Sequence, residues 1–165
     1  MQRVEARTPG VVSTAVEIVE AGVVTGLVAG ATMALWLVVY ASFTDLGALT
    51  PLKLVGATFY GASALEPGWG PVFWGLVIHM AVSVAFAILY GAIVHRDTEP
   101  IKAVAGGIFF AFVMWLVFTF AVMPVVDPFM RAQIASMPLG WFGAHLPYGA
   151  VLGATPQVRR GFAGA

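Results

Sequence analysis

The chain has 165 residues, of which 60% are hydrophobic and 10% are charged, and its eight acidic residues balance its eight basic ones. Soluble domains average about 25% charged residues, so this composition excludes an ordinary soluble domain and indicates a membrane protein. The zero net charge leaves no basic footprint for nucleic acid, and the lack of cysteine excludes disulfides, thiolate metal sites and iron–sulfur clusters.

Four apolar segments follow one another along the chain, at about residues 21–43, 71–94, 103–123 and 137–155. Roughly 20 apolar residues in a helix cross the ~30 Å hydrocarbon core of a bilayer. The polar residues before the first segment do not resemble a secretory signal, so we expect that segment to be retained. The sequence therefore predicts an all-α integral membrane protein, a four-helix transmembrane bundle that forms one domain over residues 1–165.

The first and third connections between spans each contain a polar residue followed by proline, which is typical of a helix start. These pairs are Thr50-Pro51 and Asp127-Pro128. Apolar residues follow both pairs, so we expect a short helix in the membrane interface in each of these outer connections.

Lysine and arginine concentrate on one side of the membrane if the chain crosses it four times. That side holds Arg3, Arg7, Arg96, Lys102, Arg159 and Arg160, and the other side holds Lys53 and Arg131. Cytoplasmic loops carry the excess of basic residues. We therefore expect a multi-pass protein of the bacterial cytoplasmic (inner) membrane with both termini in the cytoplasm.

Small residues recur every four positions in several spans. Helices in lipid associate through such stripes because small side chains let their backbones approach. We predict helix packing at Gly22, Gly26, Gly30, Gly75, Ser83, Gly91, Gly149 and Gly153.

The two halves of the chain share one layout, a small-residue span, an outer connection with a proline-opened helix, and a span with one histidine. His79 lies eight residues after Pro71, and His145 lies eight residues after Met137. This pattern predicts two α-hairpin repeats with both histidines at similar depth. Pro147 should break or kink the last span, and we expect the tail after it to return to water.

Apart from His79 and His145, the predicted spans offer only hydroxyls, indoles and thioethers, and two interpretations of the histidines stay open. Each could donate a structural hydrogen bond to a backbone carbonyl or a trapped water. Alternatively, the pair could supply the axial ligands of a b-type haem between helices. Copper or another metal is a third and weaker alternative, and no catalytic motif is present.

The motif HLPYGAVLG at residues 145–153 resembles the last span of a family of small, uncharacterised four-helix bacterial membrane proteins, which carries an H-L-x-Y-G-x-V-L-G pattern. The second span, with His79 followed by Tyr90-Gly91, is similar to that of the same family. Pro147 departs from the pattern, which usually has an aliphatic residue there. The resemblance implies a fold and a membrane location and implies no activity.

The sparse chemistry favours a small non-catalytic integral membrane subunit or accessory protein of a larger membrane complex, of a respiratory or electron-transfer kind. Its expected partners are the lipid bilayer and other membrane subunits. The first alternative is a b-type haem-binding or quinone-handling protein that uses His79 and His145. The second is a small transporter or channel, which usually needs polar groups at the membrane midplane.

Overall fold

The computed structural model describes residues 11–163, with side chains described from residue 14 to residue 162. This part of the chain is helical throughout, with short connections and no strand. The helices are α1 (Val11–Ser42), α2 (Thr50–Tyr60), α3 (Gly70–Ile93), α4 (Pro100–Val117), α5 (Met123–Val126), α6 (Pro128–Ile134), α7 (Pro138–Leu152) and α8 (Thr155–Ala163). A 3₁₀ turn (Gly61–Leu65) follows α2, and a π turn (Phe118–Val122) joins α4 to α5.

Three helical stretches are long and apolar enough to cross a membrane, and they are Thr14–Ser42, Gly70–Ile93 and Pro100–Val126. The prediction of an all-helical chain with helices long and apolar enough to cross a membrane is therefore confirmed for the described residues. The fourth predicted span corresponds to α7, which has 15 residues. At 1.5 Å per residue it extends over about 22 Å, which is shorter than the ~30 Å hydrocarbon core.

Helix α1 packs antiparallel to α3 along its glycine stripe. Gly22 faces Ile88, and a Cβ atom on Gly26 would lie 2.6 Å from Val84 Cα. One turn further along α1, Gly30 faces the side chain of Ser83 on α3. The two backbones therefore approach so closely that only glycine fits without movement of one helix.

Helix α7 packs against α4 in the same way. A Cβ atom on Gly149 would lie 2.6 Å from the carbonyl oxygen of Gly107, and one on Gly153 would lie 2.8 Å from the backbone nitrogen of Val104. Each half of the chain thus contains one close helix pair, α1 with α3 and α4 with α7.

Two further predicted packing positions hold other elements against α3. Gly75 contacts the carbonyl oxygen of Leu52, so α2 packs closely on the first half of α3. At the other end of α3, a Cβ atom on Gly91 would lie 3.2 Å from Thr155 Cγ2 of α8. Helix α3 is therefore fixed at both ends by short helices.

Helices α3 and α4 are consecutive in the chain but meet mainly through aromatic side chains. The Phe86 ring lies edge-on to Phe118 at 5.0 Å and to Phe110 at 6.4 Å between ring centroids. The close helix contacts run instead from α3 to α1, from α1 to α7 and from α7 to α4. This order leaves space between α3 and α4.

Both predicted short helices of the outer connections are present, as α2 and α6, but only one starts as predicted. Asp127 caps α6, because its Oδ1 accepts a 2.8 Å hydrogen bond from the backbone nitrogen of Met130. Thr50 lies inside α2, and its hydroxyl donates to the carbonyl of Leu46 instead of capping. Thr58 Oγ1 donates to Asp127 Oδ2 at 3.1 Å, which joins the two helices.

The tail, which was expected to return to water, is exposed at Arg160, Gly161 and Phe162, but its first residues pack on the bundle. It forms α8, in which Thr155, Pro156 and Arg159 are buried against the other helices. Arg159 Nη1 donates to two backbone carbonyls of α3, a contact between distant segments that composition alone does not reveal. Of the break or kink predicted at Pro147, the break is absent, since α7 runs through that residue while packed on α1 and α4. Arg3 and Arg7 lie outside the described residues.

Candidate functional site

A cavity of about 360 Å³ lies in the space between α3 and α4 and reaches α6 and α7. Its wall consists mainly of methionine, aromatic and aliphatic side chains. The polar side chains of the wall are Thr58, His79, Ser83, Thr119, His145 and Tyr148. An apolar cavity with a few converging polar groups is the usual form of a small-molecule site.

His79 enters the wall from α3 with one ring nitrogen already committed. Its Nε2 lies 2.9 Å from the backbone carbonyl oxygen of Gly30 on α1. A carbonyl oxygen can only accept, so Nε2 carries the hydrogen, and in the neutral ring Nδ1 holds a lone pair. Within the described chain Nδ1 makes no hydrogen bond. His79 therefore offers the cavity an acceptor.

His145 has the opposite tautomer. Its Nδ1 donates to the carbonyl oxygen of Trp141, one turn earlier in α7, over 2.8 Å. By the same reasoning Nε2 is left as an acceptor, again without a partner among the described residues. The structure thus brings the two sequence-predicted histidines to one cavity, on parallel helices, with one acceptor nitrogen each.

Tyr148 connects the two histidine-bearing helices directly. Its hydroxyl donates a 3.0 Å hydrogen bond to the backbone carbonyl oxygen of Ser83, and both residues are buried. Because the tyrosine belongs to α7 and the carbonyl to α3, this bond sets the distance between the two helices at the cavity wall.

Thr119 is a wall residue that the sequence analysis missed. It lies in the π turn, its side chain is 6% exposed, and its hydroxyl has no hydrogen-bond partner among the described residues. A helical threonine usually donates to the carbonyl four residues earlier, and π turns recur at functional sites. Local composition gives no signal for such a turn within the aromatic-rich stretch that contains it.

Two more donors are buried without a partner in side chains of the wall. They are the indole nitrogens of Trp115 and Trp141, within the part of the chain that the structure describes. An unpaired buried donor costs about 1–3 kcal/mol, so such groups mark places where a further molecule can stabilise the fold.

Metal chemistry at this site depends on the two imidazoles. Among the described residues, no group of three or more His, Cys, Asp or Glu side chains could hold an ion. The nitrogens available to an iron atom are Nδ1 of His79 and Nε2 of His145. Haem ligation by this pair stays a prediction.

Comparison with known proteins gives one family. The model of a family of unknown function (DUF6789) matches residues 16–161. This finding agrees with the resemblance to uncharacterised proteins carried by the motif at residues 145–153. No curated protein matches the chain, and no solved structure matches it.

Proposed function

The chain belongs to the family of unknown function DUF6789, and we propose that it is a small integral membrane protein that binds a lipid-soluble, hydroxyl-bearing ring compound of the quinol class. The ligand occupies the cavity between α3 and α4. Binding, without catalysis by side chains, is the role proposed for this chain.

The observation that carries this proposal is the pair of acceptor nitrogens on one apolar cavity. His79 and His145 each donate the ring N–H to a backbone carbonyl, so each ring is held in a fixed tautomer and orientation. A ligand with two hydroxyl donors and an apolar body complements them. A quinol has this chemistry, whereas a purely apolar lipid leaves both nitrogens unpaired.

The remaining wall supports a ring compound. Thr119 can donate or accept, and the aromatic side chains Phe86, Phe118 and Trp115 offer faces for packing.

Four membrane crossings with cytoplasmic termini are part of the proposal. Thr25 Oγ1 of α1 and Thr155 Oγ1 of α8 lie 3.1 Å apart, and Arg160 donates to the carbonyl of Arg96 after α3. These contacts return the end of α8 to the side of the bundle that holds the α3–α4 connection. Helix α7 then crosses most of the bilayer, and the basic residues gather on the cytoplasmic side.

The proposal is tested by binding of a short-chain benzoquinol to the protein purified in detergent. His79→Leu and His145→Leu each remove one acceptor and keep an apolar side chain, so each should weaken binding about fivefold. Val122→Trp fills the cavity and should abolish binding. His95→Leu is the matched control, since that side chain is 78% exposed and lies outside this cavity. Equal affinity in all four variants contradicts the proposal.

An absorption spectrum of the same preparation tests the haem alternative, which shares this cavity. A Soret band lost in either histidine variant favours a b-type haem over a quinol. The role of accessory subunit stays a prediction beside the binding function. It is tested by extracting the protein in mild detergent and measuring whether its mass exceeds that of one copy or a small oligomer.

A further inference from the structure

A second cavity, of about 390 Å³, lies at the opposite end of α3 from α2, between the start of α1, the end of α3 and α8. Among the described residues, its wall contains the basic residues Arg96 and Arg159 together with His95 and no carboxylate. The other wall residues are mainly aliphatic, among them Ile18, Ile93 and Val94.

Arg159 is a buried cation that forms no ion pair with any described carboxylate. Its side chain belongs to a residue only 5% exposed, and its Nη1 donates to the carbonyl oxygens of Gly91 (2.7 Å) and Val94 (3.0 Å). Its Nε is buried without an acceptor, and no described carboxylate lies within 4.0 Å of the guanidinium. The carbonyls at the C-terminal end of α3 carry about half a negative charge, which offsets only part of the positive charge of the guanidinium. A buried guanidinium therefore still needs an anion.

We propose that this cavity binds the phosphate of an anionic lipid headgroup. A guanidinium presents donors in a fork that matches phosphate oxygens, and basic pockets between transmembrane helices are suited to such headgroups. The aliphatic wall supplies contacts for the glycerol and acyl portion, which favours a lipid over free phosphate. The site is separate from the histidine cavity and does not depend on the ligand proposed there.

Glu17, which precedes the wall residue Ile18, is buried, and its Oε2 has no hydrogen-bond partner among the described residues. Asp97 is an exposed acidic group next to this cavity. Its Oδ2 lies 4.0 Å from Arg96 Nε and 3.6 Å from His95 Nδ1, and its side chain is 64% exposed. Exposed pairs of this kind contribute little, so a phosphate can replace the carboxylate at Arg96. Arg159 has no such competitor among the described carboxylates.

The test uses the purified full chain, titrated with short-chain phosphatidylglycerol, short-chain phosphatidylcholine or inorganic phosphate, with thermal unfolding as the readout. Phosphatidylglycerol should raise the unfolding temperature and phosphatidylcholine should not. Arg96→Gln should weaken phosphatidylglycerol binding about fivefold. Lys102→Gln is the matched control, because Lys102 lies at the same end, is paired with Glu99 at 3.1 Å, and is not in the cavity wall.

Arg159→Gln removes two hydrogen bonds to backbone carbonyls near the end of α3 and can destabilise the fold. Arg96→Gln leaves these hydrogen bonds intact and is therefore the decisive variant. Equal binding of phosphatidylglycerol by Arg96→Gln and Lys102→Gln overturns the proposal. Equal stabilisation by phosphatidylcholine overturns it as well. If inorganic phosphate protects as strongly as phosphatidylglycerol, the site is a free-anion site and the lipid assignment is wrong.

Discussion

His79 Nε2 on α3 donates a 2.9 Å hydrogen bond to the backbone carbonyl oxygen of Gly30 on α1. The bond depends on the close approach of the two helices, since a Cβ atom on Gly30 would lie 2.8 Å from Ser83 Oγ. One small residue therefore sets both the helix contact and the orientation of the imidazole that faces the cavity. Gly30 therefore contributes both to helix packing and to the candidate site.

Replacing His79 by alanine should lower the free energy of unfolding by about 0.5–2 kcal/mol, because one interhelical hydrogen bond is lost. His79→Gln should recover part of this loss, since an amide can still donate to the Gly30 carbonyl. Unfolding in mixed micelles measures both effects. His95→Ala is the control with an exposed histidine, and an equal loss there contradicts an interhelical role for His79.

The two histidines bond to different carbonyls, one on α1 and one within α7. Without a ligand, the losses from His79→Ala and His145→Ala should therefore add in the double variant to within about 0.5 kcal/mol. With saturating quinol, the two losses should become non-additive, because both nitrogens then hold one molecule. Additivity that persists at saturating quinol argues against a shared ligand.

Gly30 and Gly26 should respond differently to a second substitution. Gly30→Ala collides with the Ser83 side chain, so Ser83→Gly in the same protein should restore stability. Gly26→Ala collides with Val84 Cα, a backbone atom, which no side-chain change can remove. Thermal unfolding of the singles and the double variant decides this. Gly161→Ala is the control, since nothing lies within 4 Å of a Cβ atom there.

Helices and packing faces could be predicted from the sequence because those signals are local. Apolar length marks a membrane helix, and a glycine every four residues marks one face, whatever the partner. The partners themselves are not local: nothing near His79 indicates that Gly30, 49 residues away, accepts its hydrogen bond. The burial of Arg159 in the tail was not predicted for the same reason, because its Nη1 donates to distant carbonyls of α3.

The site was predictable only in part. His79 and His145 stood out because imidazoles are costly in lipid, and their equal spacing within two spans indicated similar depth. Thr119 gave no such signal, since threonine is ordinary in a membrane helix and the π turn that frees its hydroxyl arises from packing.

The two outer connections should differ in their sensitivity to loss of the polar residue before proline. Asp127→Ala removes the cap of α6 and the bond to Thr58, so it should cost about 1–2 kcal/mol. Thr50→Ala removes only a bond to a carbonyl within its own turn and should cost less than about 0.5 kcal/mol. Urea unfolding in micelles compares them. A larger loss at Thr50 contradicts the assignment of the cap.

The number of crossings can be measured with single cysteines, because the chain has none of its own. Four crossings with cytoplasmic termini place Glu66 outside and Asp97 and Gly161 inside. Glu66→Cys should then react with a membrane-impermeant maleimide in intact cells, and Asp97→Cys and Gly161→Cys only after permeabilisation. If α7 does not cross, Gly161→Cys should react in intact cells while Asp97→Cys does not. That result would also separate α8 from the α3–α4 connection, which conflicts with the hydrogen bonds of Arg159 and Arg160.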